Sequence, residues 1–152
     1  MSAELHCESL EEASTHVGGE ARMLLPGVQT ILGFQLMAVF NQRFEQFTRG
    51  EQIVHFAAFL LVALTMGLLM APAAYHRQVE PRMVTQRFVT MSSLLLTLSM
   101  IPFTMGVCLD TYLVGKIILH DAAASLVAAG GMLIVLGGLW FVLPAVCRLQ
   151  RR

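Results

Sequence analysis

The stretch from Ile53 to Ala71, IVHFAAFLLVALTMGLLMA, and the stretch from Ala122 to Val146, which has no ionisable side chain, leave this chain few options. A helix at the surface of a water-soluble bundle needs a wide polar face, and neither run offers one at any angle. Crossing the hydrocarbon core as a helix takes about 20 mostly apolar residues. Two further runs approach that requirement. One covers 23–43 and carries Gln29, Gln35 and Gln42; the other covers 89–112, with Pro102 inside it and Asp110 near its end. Closed barrels are the other way to span a bilayer, but none of these runs alternates as barrel strands do. The expected fold is therefore all-α: an integral membrane four-helix bundle with spans at about 23–43, 53–71, 89–112 and 122–146.

Charge placement supports this organisation. Only 13% of residues are charged and 56% are apolar, whereas soluble proteins carry roughly 25% charged residues. The charges gather between the apolar runs. Residues 1–22 form a polar, acidic tail with Glu4, Glu8, Glu11, Glu12 and Glu20; residues 23–147 form the membrane domain; residues 148–152 form a basic tail. Ser9 and Glu12 have capping-box spacing, which predicts a short helix in the first tail. Pro26 and Gly27 suit the start of the first span. The acidic beginning lacks the features of a cleaved signal, so the first span is expected to remain as a helix. Balanced acidic and basic content leaves no basic field for nucleic acid. Cys7, Cys108 and Cys147 do not form a disulfide framework and are read as free thiols.

Four spans place both termini and the middle loop on one side. That side holds Arg22, Arg77, Arg82, Arg87, Arg148, Arg151 and Arg152; the opposite side holds Arg43, Arg49 and Lys116. The excess of positive residues predicts that both termini are cytoplasmic, in a multi-pass protein of the inner (cytoplasmic) membrane. Tyr75, Tyr112 and Trp140 fall towards span ends, where amphipathic rings prefer to sit.

Lipid gives helices no hydrophobic reason to associate, so small residues that admit close approach become informative. Such residues recur in the second span (Ala63, Gly67, Ala71), the third (Ser92, Ser99, Gly106) and the fourth (Ala124, Ala128, Gly131, Gly138). These strips fit packing within one bundle. That is the favoured reading of the strips; a contact in a homo-oligomer or larger membrane complex shares the same signature.

Asp110 is the most pointed chemical candidate because it continues the face of Ser92, Ser99 and Gly106. Its structural reading is an ion pair with Arg43 that sets the register of the first and third helices. Its functional reading is a proton or cation site, with Gln29, Gln35 and Gln42 lining a pathway. Gln35 and Gln42 are seven residues apart and so share a helix face; Gln29 does not share it. Glu51 and His55 have the four-residue spacing of an interacting pair. His6, Cys7 and His16 make no accepted metal-ligand set. No metalloprotease, phosphate-loop or nucleophile-elbow motif is present. Neither an enzyme nor a cofactor is expected.

The segments EARMLLPGVQTILGFQLMAVFNQRF and APAAYHR resemble a family of small bacterial four-span membrane proteins known by a domain-of-unknown-function label. The resemblance covers Glu20 to Arg77 and continues beyond in hydropathy layout. It marks Glu20, Arg22, Pro26, Gly27, Gln29, Gln35, Arg43, Tyr75, His76 and Arg77 as motif positions, without roles. Some members of that family are called sodium:proton antiporters. The expected function is a non-catalytic, self-associating or accessory membrane component; the alternative is a small cation or proton transporter using Asp110 and the intramembrane glutamines.

Overall fold

A computed structural model describes residues 9–79 and 83–150. His6 and Cys7, Glu80 to Arg82 of the middle connector, and Arg151 and Arg152 lie outside the described residues. Four long helices account for nearly everything else: α1 (Leu10–Val39), α2 (Arg49–Val79), α3 (Gln86–Leu119) and α4 (Ala122–Gln150). No strand occurs among the described residues. All four are long and apolar enough to cross a membrane. At about 1.5 Å per residue each exceeds the ~30 Å hydrocarbon core, so their polar ends can project into the interfaces.

Short-range chemistry sets most helix starts. Ser9 and Glu12 form a complete capping box, with Ser9 N–H donating to Glu12 Oε2 at 2.9 Å and Glu12 N–H donating to Ser9 Oγ at 3.2 Å. The helix nucleated there does not stop before the apolar run. It continues through Pro26, so the acidic segment forms the first turns of α1 and Pro26 sits inside that helix. Thr48 and Glu51 repeat the device at α2, with Thr48 N–H donating to Glu51 Oε2 at 2.8 Å and Glu51 N–H to Thr48 Oγ1 at 3.4 Å. Thr85 caps α3 and Asp121 caps α4 through their side-chain oxygens. His120, the first of the two residues between α3 and α4, adopts a left-handed conformation with φ 53°, letting the chain reverse in a two-residue turn.

α4 changes its winding near the end, being α-helical over Ala122–Gly137, π-helical over Gly138–Val142 and α-helical again over Leu143–Gln150. Pro144 explains the change. It has no N–H for the ladder, and its ring crowds the carbonyl one turn earlier. Widening the preceding turn relieves that crowding, and Leu143 N–H bonds instead to Gly138 O.

α2 and α3 form the central pair, α1 lies chiefly against α2, and α4 packs on α3. The buried side of α2 carries His55, Ala58, Val62, Thr65, Leu69 and Pro72, alternating steps of three and four. Ser92, Ser99, Gly106 and Leu113 are buried on α3 at intervals of seven. Both patterns are those of helices crossing at a shallow angle. At Gly106 the backbones come so close that an added Cβ would stand 2.9 Å from Val62 Cγ2 and 3.3 Å from Ala58 O. Gly115 plays the same part between α3 and α4, where a Cβ would lie 3.0 Å from Ser125 Cβ. The apolar core joins Val28, Val62, Leu69 and Leu96, with Leu24, Met66 and Phe103 packed around them.

The remaining small residues are placed differently. Ala63 and Ala71 are half-buried, but Gly67 is exposed, with nothing within 4 Å of an added Cβ. On α4, Ser125 and Ala129 are the buried positions. Ala128 and Gly131 are exposed, Ala124 and Gly138 half-buried, and added Cβ atoms on Gly131 and Gly138 would meet nothing.

Candidate functional site

Polar residues of the long apolar helices converge at the end of the bundle where α1 and α3 finish and α2 and α4 begin. Gln35 lies one turn before the end of α1 and is only 4% exposed. Its Nε2 donates to Asp110 Oδ2 on α3 at 2.7 Å, a bond between helices 75 positions apart in sequence. His55 enters from α2 and is also buried. Its Nε2 lies 2.9 Å from the Gln35 main-chain oxygen. A carbonyl only accepts, so the His55 nitrogen facing it carries hydrogen. The Phe44 ring meets the His55 imidazole edge-on, with centroids 5.3 Å apart. Gln35 thus holds α3 through its side chain and α2 through its backbone.

Asp110 and Gln35 are brought together; Gln29 and Gln42 are not. Gln29 is exposed. Gln42 lies beyond the end of α1 in the short 3₁₀ turn Gln42–Gln46, so its seven-residue relation to Gln35 no longer describes a shared face. The Arg43 side chain, the expected partner of Asp110, is outside the described structure. Among the described residues the hydrogen-bond partner of Asp110 is an amide.

One turn nearer the loops, Glu51 forms a salt bridge with Lys116 and also receives the Thr48 hydroxyl at 2.8 Å. The expected Glu51–His55 pair is thereby split: Glu51 serves the helix cap and Lys116, while His55 turns inward. A cleft of about 630 Å³ opens here, with Ala38, Phe44, Glu51, Leu113, Lys116 and His120 among its walls. A second, more apolar cleft of about 470 Å³ reaches Asp110 between Ile31 of α1 and Val107, Val114 and Ile118 of α3.

The other motif positions sit towards the opposite end. Tyr75 stacks on Phe88 with centroids 6.2 Å apart, and His76 lies 5.1 Å from the same ring. His76 Nδ1 and Ser92 Oγ are both buried without a hydrogen-bond partner. Glu20, Arg22, Pro26, Gly27 and Arg77 are exposed. Cys108 and Cys147 are free thiols, and no group of three His, Cys, Asp or Glu residues among the described positions could hold a metal ion.

His55 and Lys116 were the residues least visible from sequence as parts of this site. The signal for His55 is its phase: it falls in the same three-and-four rhythm as Ala58, Val62, Thr65 and Leu69. Lys116 and Glu51 each occupy a helix end, and only their meeting in space makes them a pair.

The chain belongs to a family of unknown function (DUF6328), whose model matches residues 8–144. No curated protein and no solved structure matches the chain.

Proposed function

We propose that this family member is a non-catalytic, self-associating component of the cytoplasmic membrane, with both termini on the cytoplasmic side. The observation that carries the reading is the face of α4 bearing Ala124, Ala128, Gly131 and Gly138. Ser125 and Ala129 turn towards the rest of the chain, while Ala128 and Gly131 of that line are exposed and Ala124 and Gly138 half-buried. Only 6% of the most apolar window of α4 is buried, against 33% for α3. A smooth strip of this kind lets two helix backbones approach within a membrane, where packing replaces the hydrophobic effect as the source of association. The occupant that fits is α4 of a second copy, since identical strips are self-complementary about a two-fold axis. The orientation rests on the seven-to-three excess of Lys and Arg described above.

Energy transfer between labelled copies, diluted stepwise with lipid in vesicles, tests this. Wild-type protein is expected to remain associated as lipid is added. Gly131→Leu should weaken association at least tenfold, or about 1.4 kcal/mol. It should leave the unfolding midpoint of the single chain almost unchanged, because the added side chain meets open space there. Monomeric wild-type protein at every dilution would overturn the proposal.

A further inference from the structure

The geometry points to Asp110 and Gln35 as a proton-binding site, in which the acid form of Asp110 is held by the Gln35 amide through two hydrogen bonds. This inference does not depend on self-association.

The observation behind it is an acceptor that lacks a donor. Gln35 Nε2 donates to Asp110 Oδ2, yet Gln35 Oε1 is buried and has no hydrogen-bond partner. Buried polar atoms are nearly always paired, so such an exception requires a physical reason. A primary amide presents its carbonyl oxygen and one N–H on the same edge, and a carboxylic acid presents its O–H and C=O in the same way. The two edges match. With Asp110 ionised, only the N–H···O bond can form, and the amide oxygen is left beside a carboxylate that has nothing to donate. A proton taken from water onto Asp110 Oδ1 supplies the missing donor to Oε1 and retains the first bond.

Turning the amide over leads to the same place. Its oxygen would then lie against Asp110 Oδ2 at 2.7 Å, a hydrogen bond only if the carboxyl carries a proton. Both orientations therefore lack the same hydrogen.

The surroundings favour a proton over a metal ion. Calcium takes six to eight oxygen ligands and magnesium a near-ideal octahedron, whereas this site offers one carboxyl and one amide oxygen beside an apolar cleft. Among the described residues, the charged and titratable groups near Asp110 are few. α2 brings His55 and, a turn away, Glu51; α3 carries Tyr112 and Lys116, the latter committed to Glu51. α1 has no titratable residue between Arg22 and Arg43. His120 and Asp121 lie at the start of α4. His55 is a positioning residue, holding the Gln35 backbone rather than the carboxyl.

Infrared spectroscopy of the full-length protein in lipid vesicles reads the proton directly. At pH 7 an ordinary exposed aspartate, with a pKa of about 3.9, is ionised. The expected result at that pH is a carboxylic acid C=O band that disappears in Asp110→Asn. In Gln35→Leu the band should move to higher frequency as its hydrogen bonds are lost. Arg43→Gln should leave it in place. Absence of an Asp110-dependent acid band in the wild type at pH 7 would overturn the assignment. So would a band that appears only in Arg43→Gln, which would mean that the carboxylate is ion-paired. Asp110→Asn keeps shape and hydrogen-bonding capacity, so a folded variant is available for the comparison.

Discussion

Gln35→Leu is expected to destabilise the protein by about 1–3 kcal/mol, and the double replacement Gln35→Leu with Asp110→Leu by less than the sum of the two single changes. Removing the glutamine side chain leaves a half-buried carboxyl on α3 without its donor. Removing Asp110 alone leaves both ends of a buried amide unsatisfied. Each single change thus incurs the penalty of stranding its partner as well as the loss of the bond. Taking both away substitutes an apolar pair, and replacing both partners of a buried polar contact can be close to neutral. The bond from His55 to the Gln35 backbone survives in every variant, because it uses the main-chain oxygen. Trp140, the only tryptophan in the chain, lies against Phe103 of α3 with ring centroids 5.8 Å apart and provides a fluorescence probe of unfolding in mixed micelles. A coupling energy of 0.5–3 kcal/mol is expected, whereas independent sites would add to within about 0.3–0.5 kcal/mol. Strict additivity would mean that the two side chains do not share a bond in the folded protein.

The four apolar helices could be read from the chain because hydropathy sums over some twenty residues, and no single position decides the outcome. What depends on one or two residues was harder to read. The helix start at Leu10 follows from the Ser9–Glu12 capping box; its continuation through Pro26 was harder to read, because a local reading takes proline as a boundary. The π turn before Pro144 has the same origin: proline interrupts the ladder, but the chain repairs it by widening a turn instead of ending the helix. At the site, Asp110 was identifiable as an acidic residue in an apolar run. Gln35 was already grouped with it as an intramembrane amide; the separation of Gln42 was harder to read, because α1 ends at Val39 and the Gln35–Gln42 spacing no longer defines a face. Pairings such as Gly115 with Ser125 and Glu51 with Lys116 join different helices. They follow from how the helices cross, which hydropathy does not encode.

The approach of α2 to α3 predicts the largest effect of a single added side chain. Gly106→Leu is expected to lower the stability of the bundle by about 1–3 kcal/mol or more through overpacking. Two contacts lead to this. An added Cβ would fall 2.9 Å from Val62 Cγ2, on a fully buried side chain that is stiff at χ1, and 3.3 Å from Ala58 O, which belongs to helix backbone. A leucine therefore cannot be absorbed by rotamer changes alone; the central helices must separate, and the neighbouring buried residues Val62, Ser99 and Thr65 lose contacts as they do. Gly106→Ala should cause a smaller loss in the same direction, and Val62→Ala should relieve part of it, giving a sum below additivity. The oxygen of Ala58 keeps that rescue incomplete. Gly67→Leu is the control: the same chemical change on the central helix α2, at an exposed position with open space, should stay within about 0.5 kcal/mol of wild type. Equal effects at Gly106 and Gly67 would contradict the close crossing of α2 and α3, and with it the placement of Gln35, His55 and Asp110 around one point.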